Sequence, residues 1–482
     1  MRMIVRGARL YAGDGQVAAG PADVLVEDGR IARVVPYAEP HEDPHEGRYE
    51  EPPPGPDGLP GARHGTDGLA EARTDSRTRV IEAYGALLAP PFVEPHIHLD
   101  TALTAGEPRW NASGTLWEGI ACWSERKETL TREDVVDRAT EVLRWQAAQG
   151  VLHVRTHCDV TVPRLPPGGA PRLLALDALA EVRDRVRDVI GLQIVAFPQE
   201  GIRSFPDGER LMTEAVRRGA DVVGAIPHFE DTREDGVESL RFAFALAERE
   251  GLRVDAHCDE IDDEQSRFVE VLATLALRSG LRDRATASHT TAMGSYNGAY
   301  SYKLRRILAR SGIGLVCNPF ANLGLQGRFD AYPKRRGLTQ VKEMLAAGVN
   351  VAFGHDDVMD PWNPLGTGSP LQTALTGVYA AQLTGAEEIA TAFAMVTDRA
   401  ARVLGLGEEY GIAEGRPANF VLLPAGSPFD AVRRQVRPRY VVARGRVVAE
   451  TPYQATRLDW PGEEGEMIDF VRRRDAAAWQ RL

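Results

Sequence analysis

Hydrophobic and polar residues alternate with a period of two at both ends of the chain. Residues 4–36 and 418–449 form short runs of this kind, separated by Gly-Asp, Asp-Gly and Arg-Gly-Arg turns. Such runs predict β-strands joined by tight turns. Because the two regions bracket everything else, we expect one small β-sandwich domain built from both chain ends, over residues 1–38 and 411–450.

The central region alternates apolar runs with patterns of helical period. One predicted helix begins at Thr131, a suitable N-cap, and ends near Gly150. Strands followed by helices predict a parallel sheet with crossovers. Their number and the size of the region favour an α/β fold, a closed (β/α)8 TIM barrel over 86–410, with a doubly wound open sheet as the alternative. The predicted strands are 86–95, 151–157, 189–197, 221–226, 252–257, 285–289, 313–317 and 349–354.

Two segments fall outside this pattern. Residues 39–79 are rich in proline, glycine and acidic residues and poor in large apolar side chains. Such a segment buries too little apolar surface to offset its ordering entropy, so we predict a disordered insertion. Residues 451–482 are expected to form a C-terminal tail.

Charge and cysteine content restrict the class of function. The 482 residues contain 57 Lys plus Arg and 69 Asp plus Glu, a formal net charge of −12. This charge disfavours nucleic acid and anionic membranes as partners and favours small neutral substrates. The first residues contain no apolar run typical of a signal peptide, and no run approaches the length of about 18 residues that indicates a membrane span. Four well-separated cysteines without a C-x-x-C pair suit buried thiols in a cytoplasmic protein.

Polar side chains end most of the predicted barrel strands, at the face where TIM barrels carry their active sites. The pair His96-x-His98 places two imidazoles on one side of a strand. With His257 and Asp356 at later strand ends, these residues predict a divalent metal site suited to Zn²⁺ or Fe²⁺. Glu260, three residues after His257, is placed to move protons as a general acid and base. Other strand-end histidines are expected to be core residues rather than ligands: His157, His228 and His355.

Several segments together carry a resemblance to a known family. They include PHIHLD, HVRTHCDV, LQIVAFPQEGI, DAHCDE, ASHTTAMGSYNGAY and FGHDDVMDPWNP. From about residue 85 to about residue 445 the chain resembles the metal-dependent amidohydrolases, and among them the bacterial cytosine deaminases. The resemblance implies the metal ligands His96, His98, His257 and Asp356. It implies catalytic roles for Glu260 as proton shuttle, for His289 in orienting the hydroxide and for Asp356 in its deprotonation. It implies substrate contacts from Gln199, Asp357, Trp362, Phe197 and Leu116.

The activity that the resemblance implies is hydrolytic deamination of cytosine to uracil and ammonia, in pyrimidine salvage, by a metal-activated hydroxide. Deamination of isoguanine, creatinine or a triazine is the nearest alternative. Cyclic-amide hydrolysis at a binuclear site is disfavoured, because the expected bridging lysine is missing from GAIPHFED at the end of the fourth strand. A non-catalytic metal-binding scaffold would be expected to lack Glu260 or His289. The resemblance further implies one metal ion per subunit and a homo-oligomer.

Overall fold

The computed structural model of the protein describes residues 2–37, 78–162 and 173–471. The predicted disordered insertion therefore lies outside the described residues except at its end. Thr78 and Arg79 begin a strand that pairs in parallel with the first one, so residues 78–79 were wrongly assigned to the insertion. The first five strands are β1 (Arg2–Gly13), β2 (Gln16–Glu27), β3 (Arg30–Pro36), β4 (Thr78–Glu82) and β5 (Leu87–Ala89).

Eight parallel strands form the barrel, and each pairs with its neighbour in sequence. The barrel closes through a parallel bridge between Ile97 and Asp356. This bridge is made by two backbone hydrogen bonds, from His98 N to Asp356 O at 3.0 Å and from Asp356 N to His96 O at 2.9 Å. The predicted TIM barrel is confirmed, and the open sheet is excluded. The barrel strands are β6 (Phe92–Ile97), β7 (Val151–Asp159), β8 (Gly191–Phe197), β9 (Val222–Ala225), β10 (Arg253–Cys258), β11 (Ala285–His289), β12 (Gly314–Cys317) and β13 (Asn350–Phe353).

A second sheet joins the two chain ends in the order β16-β15-β14-β5-β1-β2-β3, with β4 on β1. The predicted strand 86–95 is thus wrong as a single barrel strand. Its first part is β5, which belongs to the small sheet, and a proline pair, Pro90 and Pro91, separates it from β6. Proline lacks the amide proton that a continuous central strand needs. The additional strands are β14 (Phe420–Leu423), β15 (Tyr440–Ala443) and β16 (Arg446–Glu450).

The predicted tail contains regular structure. Strands β17 (Thr456–Trp460) and β18 (Glu463–Ile468) pair as an antiparallel hairpin, and its turn contains Gly462 at a φ of +85°. Alternation in this segment is weak because most of its side chains are exposed, with Trp460 61% accessible. The remainder of the predicted tail, after residue 471, lies outside the described residues.

Helices follow the barrel strands and cover the outside of the barrel. The second of them begins at the predicted N-cap, where Thr131 Oγ1 accepts from Asp134 N at 3.2 Å. Among the described residues, no helix combines the length and apolar character needed to cross a membrane. The helices are α1 (Leu116–Arg126), α2 (Arg132–Ala148), α3 (Leu174–Val186), α4 (Gly208–Arg217), α5 (Arg233–Glu250), α6 (Phe268–Ser279), α7 (Gly298–Ser311), α8 (Pro319–Leu325), α9 (Val341–Ala346), α10 (Pro370–Ala380), α11 (Ala386–Met395), α12 (Asp398–Leu404) and α13 (Pro428–Arg434).

Candidate active site at the carboxyl end of the barrel

Four predicted metal ligands meet at the carboxyl end of the barrel. Asp356 Oδ1 lies 3.2 Å from His96 Nε2 and 3.5 Å from His98 Nε2. His98 Nε2 in turn lies 3.1 Å from His257 Nε2 on β10. All four side chains are buried. Strands that are far apart in the sequence therefore place three imidazoles and one carboxylate within contact distance.

The backbone adopts an uncommon conformation at two residues of this site. Asp356 has a φ of +70° and His289 a φ of +69°, both in the left-handed region that non-glycine residues rarely occupy. Such strain persists only where the surrounding structure holds it in place, and it concentrates at functional sites. At Asp356 the two hydrogen bonds that close the barrel provide that support.

The chemistry of this group of side chains fits a divalent cation. His96 Nε2 is buried and has no hydrogen-bond partner among the described residues. Burial and the neighbouring imidazoles lower the pKa of His96 and of His257, so both rings are neutral and offer lone pairs. Neutral imidazoles together with one carboxylate are ligands that Zn²⁺ and Fe²⁺ accept.

The geometry also brings His289 into this set. One ligand atom each of His96, His257, His289 and Asp356 lies within 4.8 Å of the others. His98 belongs to two further groups of this kind, with His96 and His157 and with Asp356 and Asp357. The sequence predicted His289 to act beside the metal rather than to bind it, and a variant that distinguishes these roles is described in the Discussion.

Glu260 contacts His289 directly. Its Oε1 lies 3.1 Å from His289 Nδ1, and only 3% of the residue is exposed. Burial raises the pKa of Glu260 to about 8, so the carboxyl holds a proton at neutral pH. A protonated carboxyl beside a polar cavity can donate that proton and take it back, as general acid–base catalysis requires.

Two asparagines beside His289 were not identified from the sequence. Asn322 Nδ2 lies 3.0 Å from His289 Nδ1, and Asn318 Nδ2 lies 3.3 Å from His289 Nε2. Both are fully buried. Asn318 directly follows β12, a barrel strand to whose end no candidate residue was assigned. The strand-end pattern that identified the other candidates could therefore have identified Asn318 as well.

The predicted substrate contacts surround one cavity, with one exception. Phe197 is fully buried and stacks on His257, their ring centroids 4.0 Å apart, so it supports a proposed ligand instead of lining the cavity. Leu325 of α8 joins the lining and was missed, since a leucine on a helix carries no functional signal. The cavity is lined by His98, Leu116, Gln199, His257, Glu260, His289, Leu325, Asp356, Asp357 and Trp362.

A pair of carboxyl groups lies beside the cavity. Asp360 accepts from Thr101 Oγ1 at 2.9 Å and from Trp362 N at 3.0 Å, which orients the loop that carries Trp362. Burial and the nearby Asp356 raise the pKa of Asp357, which favours its protonated form.

Of the three histidines that we expected to be core residues, His157 and His355 are fully buried, and His228 is partly exposed although both of its ring nitrogens are buried. His355 Nδ1 lies 2.9 Å from Asp357 O, and burial lowers the pKa of His355 and of His228 to about 4. His157 stacks on His96 with ring centroids 3.8 Å apart. These rings are therefore neutral and surround the proposed ligands.

Trp362 is seated on a glycine of α1. Its Nε1 donates to Leu116 O at 3.3 Å, and a Cβ atom at Gly119 would lie 2.4 Å from the same Nε1. Gly119→Ala is therefore expected to push the indole into the cavity and raise KM by about tenfold. Helix stability should not fall, because alanine favours the helix over glycine by about 1 kcal/mol. Gly324→Ala, where no atom lies within 4 Å of the new Cβ, is the matched control. Steady-state kinetics test this, and equal KM values for both variants would contradict the packing argument.

Comparison with known proteins assigns the chain to a family. The sequence model of the amidohydrolase family matches residues 79–449. The chain belongs to the amidohydrolase family. The matched range contains every predicted site residue, and enzymes of this family are hydrolases that generally depend on a metal ion. The predicted hydrolase acting on C–N bonds is thereby confirmed at this level.

Relatives of this amidohydrolase include several deaminases. A crystal structure of 5-methylcytosine deaminase from Klebsiella pneumoniae, liganded with 5-fluorocytosine, is 44% identical, has a TM-score of 0.82 and covers 96% of this chain and 100% of its own. N-isopropylammelide isopropyl amidohydrolase from Pseudomonas sp. (strain ADP) is 28% identical, over 77% of this chain and 88% of its own. Pterin deaminase from Rhizobium rhizogenes is 29% identical, over 74% of this chain and 80% of its own. The resemblance to cytosine deaminases stated from the sequence is confirmed.

Proposed function

We propose that this amidohydrolase deaminates cytosine, converting cytosine and water to uracil and ammonia. One observation carries the proposal. The chain is 44% identical over almost its full length to a 5-methylcytosine deaminase that binds 5-fluorocytosine, and its own cavity is lined by Gln199, Glu260 and Asp357. A carboxamide and two buried carboxyl groups, both with raised pKa values, supply the donors and acceptors that the edges of a cytosine ring require.

The metal in this proposal is one divalent ion, Fe²⁺ or Zn²⁺, held by His96, His98, His257 and Asp356. Such an ion, when bound, lowers the pKa of a water molecule so that a nucleophile is available near neutral pH. The neutral imidazoles and the unpartnered His96 Nε2 support this assignment.

Substrate binding is assigned to the buried walls of the cavity. The Gln199 amide, 4% exposed, offers a donor and an acceptor to the O2 and N1 edge of the ring. Leu116 and Trp362 pack against the ring and exclude water from the reacting carbon. Exclusion of water strengthens the electrostatic interactions between the substrate and the carboxyl groups.

Proton transfers are assigned to Glu260, His289 and Asp356. Glu260 donates its proton to ring N3, which makes C4 more electrophilic. The oxygen of water attacks C4, and His289 and Asp356 orient that water and accept its proton. The proton accepted from water then passes to the amino group, the C4–N bond breaks and ammonia leaves. The remaining hydroxyl proton returns to Glu260 as the C4 carbonyl of uracil forms. The 3.1 Å contact between Glu260 and His289 allows the proton to pass between these groups.

The second candidate reaction is deamination of a related ring. Similarity to the Klebsiella relative favours 5-methylcytosine as the alternative substrate, and similarity to the Pseudomonas relative favours an ammelide-type triazine. Isoguanine and creatinine are two further alternative substrates, to be compared with cytosine.

Release of ammonia, or of isopropylamine in the case of N-isopropylammelide, from a panel of substrates tests the proposal. The panel contains cytosine, 5-methylcytosine, isoguanine, creatinine, N-isopropylammelide and pterin. We expect cytosine to give the highest kcat/KM, and a higher value for any other ring would replace cytosine as the substrate. An Asp356→Ala variant purified in the same way measures any deaminase carried over from the expression host.

A further inference from the structure

A chain of hydrogen bonds crosses the barrel interior beneath the proposed metal ligands. Arg155 on β7 is fully buried, and its Nη1 donates to Asp255 Oδ2 on β10 at 2.8 Å. The other carboxylate oxygen, Oδ1, accepts from Ser288 Oγ on β11 at 2.8 Å. Ser288 Oγ lies 2.9 Å from His96 Nδ1. The register of the barrel creates this chain, because Asp255 pairs with Thr286 and His257 with Ser288 on the adjacent strands.

The direction of each hydrogen bond follows from the donors and acceptors. The Arg155 guanidinium can only donate, and its pairing keeps Asp255 a carboxylate that can only accept. The single hydroxyl proton of Ser288 must therefore point at Asp255, since the reverse orientation would oppose two oxygen lone pairs at 2.8 Å. Ser288 Oγ is then left as an acceptor, and His96 Nδ1 has to carry the proton that it donates.

We propose that Arg155, Asp255 and Ser288 are positioning residues that hold His96 in its Nδ1–H form. The lone pair of the ring is thereby placed on Nε2. That atom has no hydrogen-bond partner among the described residues and lies 3.2 Å from Asp356 Oδ1. These hydrogen bonds thus fix the tautomer of His96 so that its Nε2 lone pair is available to a metal ion. The inference rests on the metal role proposed above for His96.

His257 differs from His96 in this respect. Its Nδ1 is buried without a hydrogen-bond partner among the described side chains and backbone. The barrel therefore selects the tautomer of His96 through side chains and does not do so for His257. We expect the support of His96 to contribute more to metal affinity than the surroundings of His257 do.

A purely structural role for Arg155 predicts a different outcome. Its other nitrogens bind Gln193 Oε1 on β8 at 3.0 Å and Val403 O of α12 at 3.0 Å, contacts that join β7 to these elements without reaching the metal site. Thr286 Oγ1 accepts from Arg155 Nη1 at 3.4 Å and touches none of the proposed ligands. Thr286→Val therefore removes a buried hydroxyl from the same strand and the same arginine, and it is the matched control for Ser288→Ala.

Zinc affinity, measured by competition with a chelating dye, tests the proposal. We expect Ser288→Ala to weaken Zn²⁺ binding by about 10- to 100-fold, the usual effect of removing a partner of a metal-bound imidazole. Ser288→Thr, which keeps the hydroxyl, should restore affinity, and Thr286→Val should leave it unchanged. Equal losses of Zn²⁺ affinity in Ser288→Ala and Thr286→Val would show that these hydrogen bonds only stabilise the barrel, and would overturn the proposal.

The tautomer can be observed without any variant of the chain. In metal-free wild type labelled with ¹⁵N-histidine, NMR should show His96 protonated at Nδ1 and not at Nε2, with His96→Gln used to assign the signals. An Nε2–H tautomer would overturn the proposal even if Ser288→Ala fails to fold. A wild type with this tautomer that binds no Zn²⁺ would instead refute the proposed metal role and leave the hydrogen-bond chain intact.

Discussion

Glu260→Gln is expected to lower kcat for cytosine by about 10³- to 10⁴-fold. General acid–base groups contribute about 10² to 10⁴ in rate, and Glu260 serves more than one proton transfer in the proposed reaction. Glutamine keeps the shape and hydrogen-bonding reach of the side chain but cannot carry a proton. Cytosine binding should persist, because Gln199 and the apolar walls still line the cavity.

The control for this variant is a second buried carboxyl. Burial raises the pKa of Glu94 to about 8, as it does for Glu260, but Glu94 accepts from the backbone of His96 and His355 and does not line the cavity. Glu94→Gln keeps those acceptors, and we expect its kcat to stay within about tenfold of wild type. Turnover, metal content and cytosine affinity are measured for both variants. A Glu260→Gln enzyme within tenfold of wild type would show that another group, Asp357 or His289, moves the protons.

His289→Asn is expected to lower turnover by about a hundredfold or more while the metal is retained. The imidazole contacts Glu260 at 3.1 Å and is held by Asn318 and Asn322, and in the proposed reaction it orients the attacking water and accepts its proton. Burial and nearby histidines lower its pKa, so the ring is neutral and able to accept.

Metal content after purification decides the role of His289. Its ligand atom lies within 4.8 Å of those of His96, His257 and Asp356, so direct coordination is a geometric alternative. Metal retained at the wild-type level together with low turnover supports the role of orienting and accepting protons. Loss of the metal with the side chain would make His289 a ligand and would contradict the proposed four-residue set.

Most of the barrel was predictable from the sequence because buried parallel strands are nearly continuous apolar runs. The prediction failed where the local hydrophobic pattern indicates one sheet and the strand pairs in the other. Leu87–Ala89 is as apolar as a barrel strand but pairs with β1 and β14 in the small sheet, a choice that only the folded chain reveals. Thr78 and Arg79 were placed at the end of the polar segment, although they begin a strand that pairs with β1.

The lining of the candidate site was predictable where its residues lie at strand ends. Gln199 and Asp357 were found in this way and through the family resemblance, and both line the cavity. The hydrogen bonds of Arg155, Asp255 and Ser288 were not predictable, because they depend on the register between strands and on side chains crossing the barrel interior. Phe197 differs from these residues: the resemblance implied a substrate contact, but its ring packs on His257 and does not line the cavity.

Ammonia release from cytosine by one preparation in three states tests the central claim most directly. The states are the enzyme as purified, the enzyme after removal of metal by a chelator, and the chelated enzyme after addition of Fe²⁺ or Zn²⁺. We expect activity in the first state, its loss in the second and its recovery with at least one metal in the third, with uracil and ammonia formed in equal amounts. Full activity after complete metal removal, or no ammonia from cytosine in any state, would contradict the account.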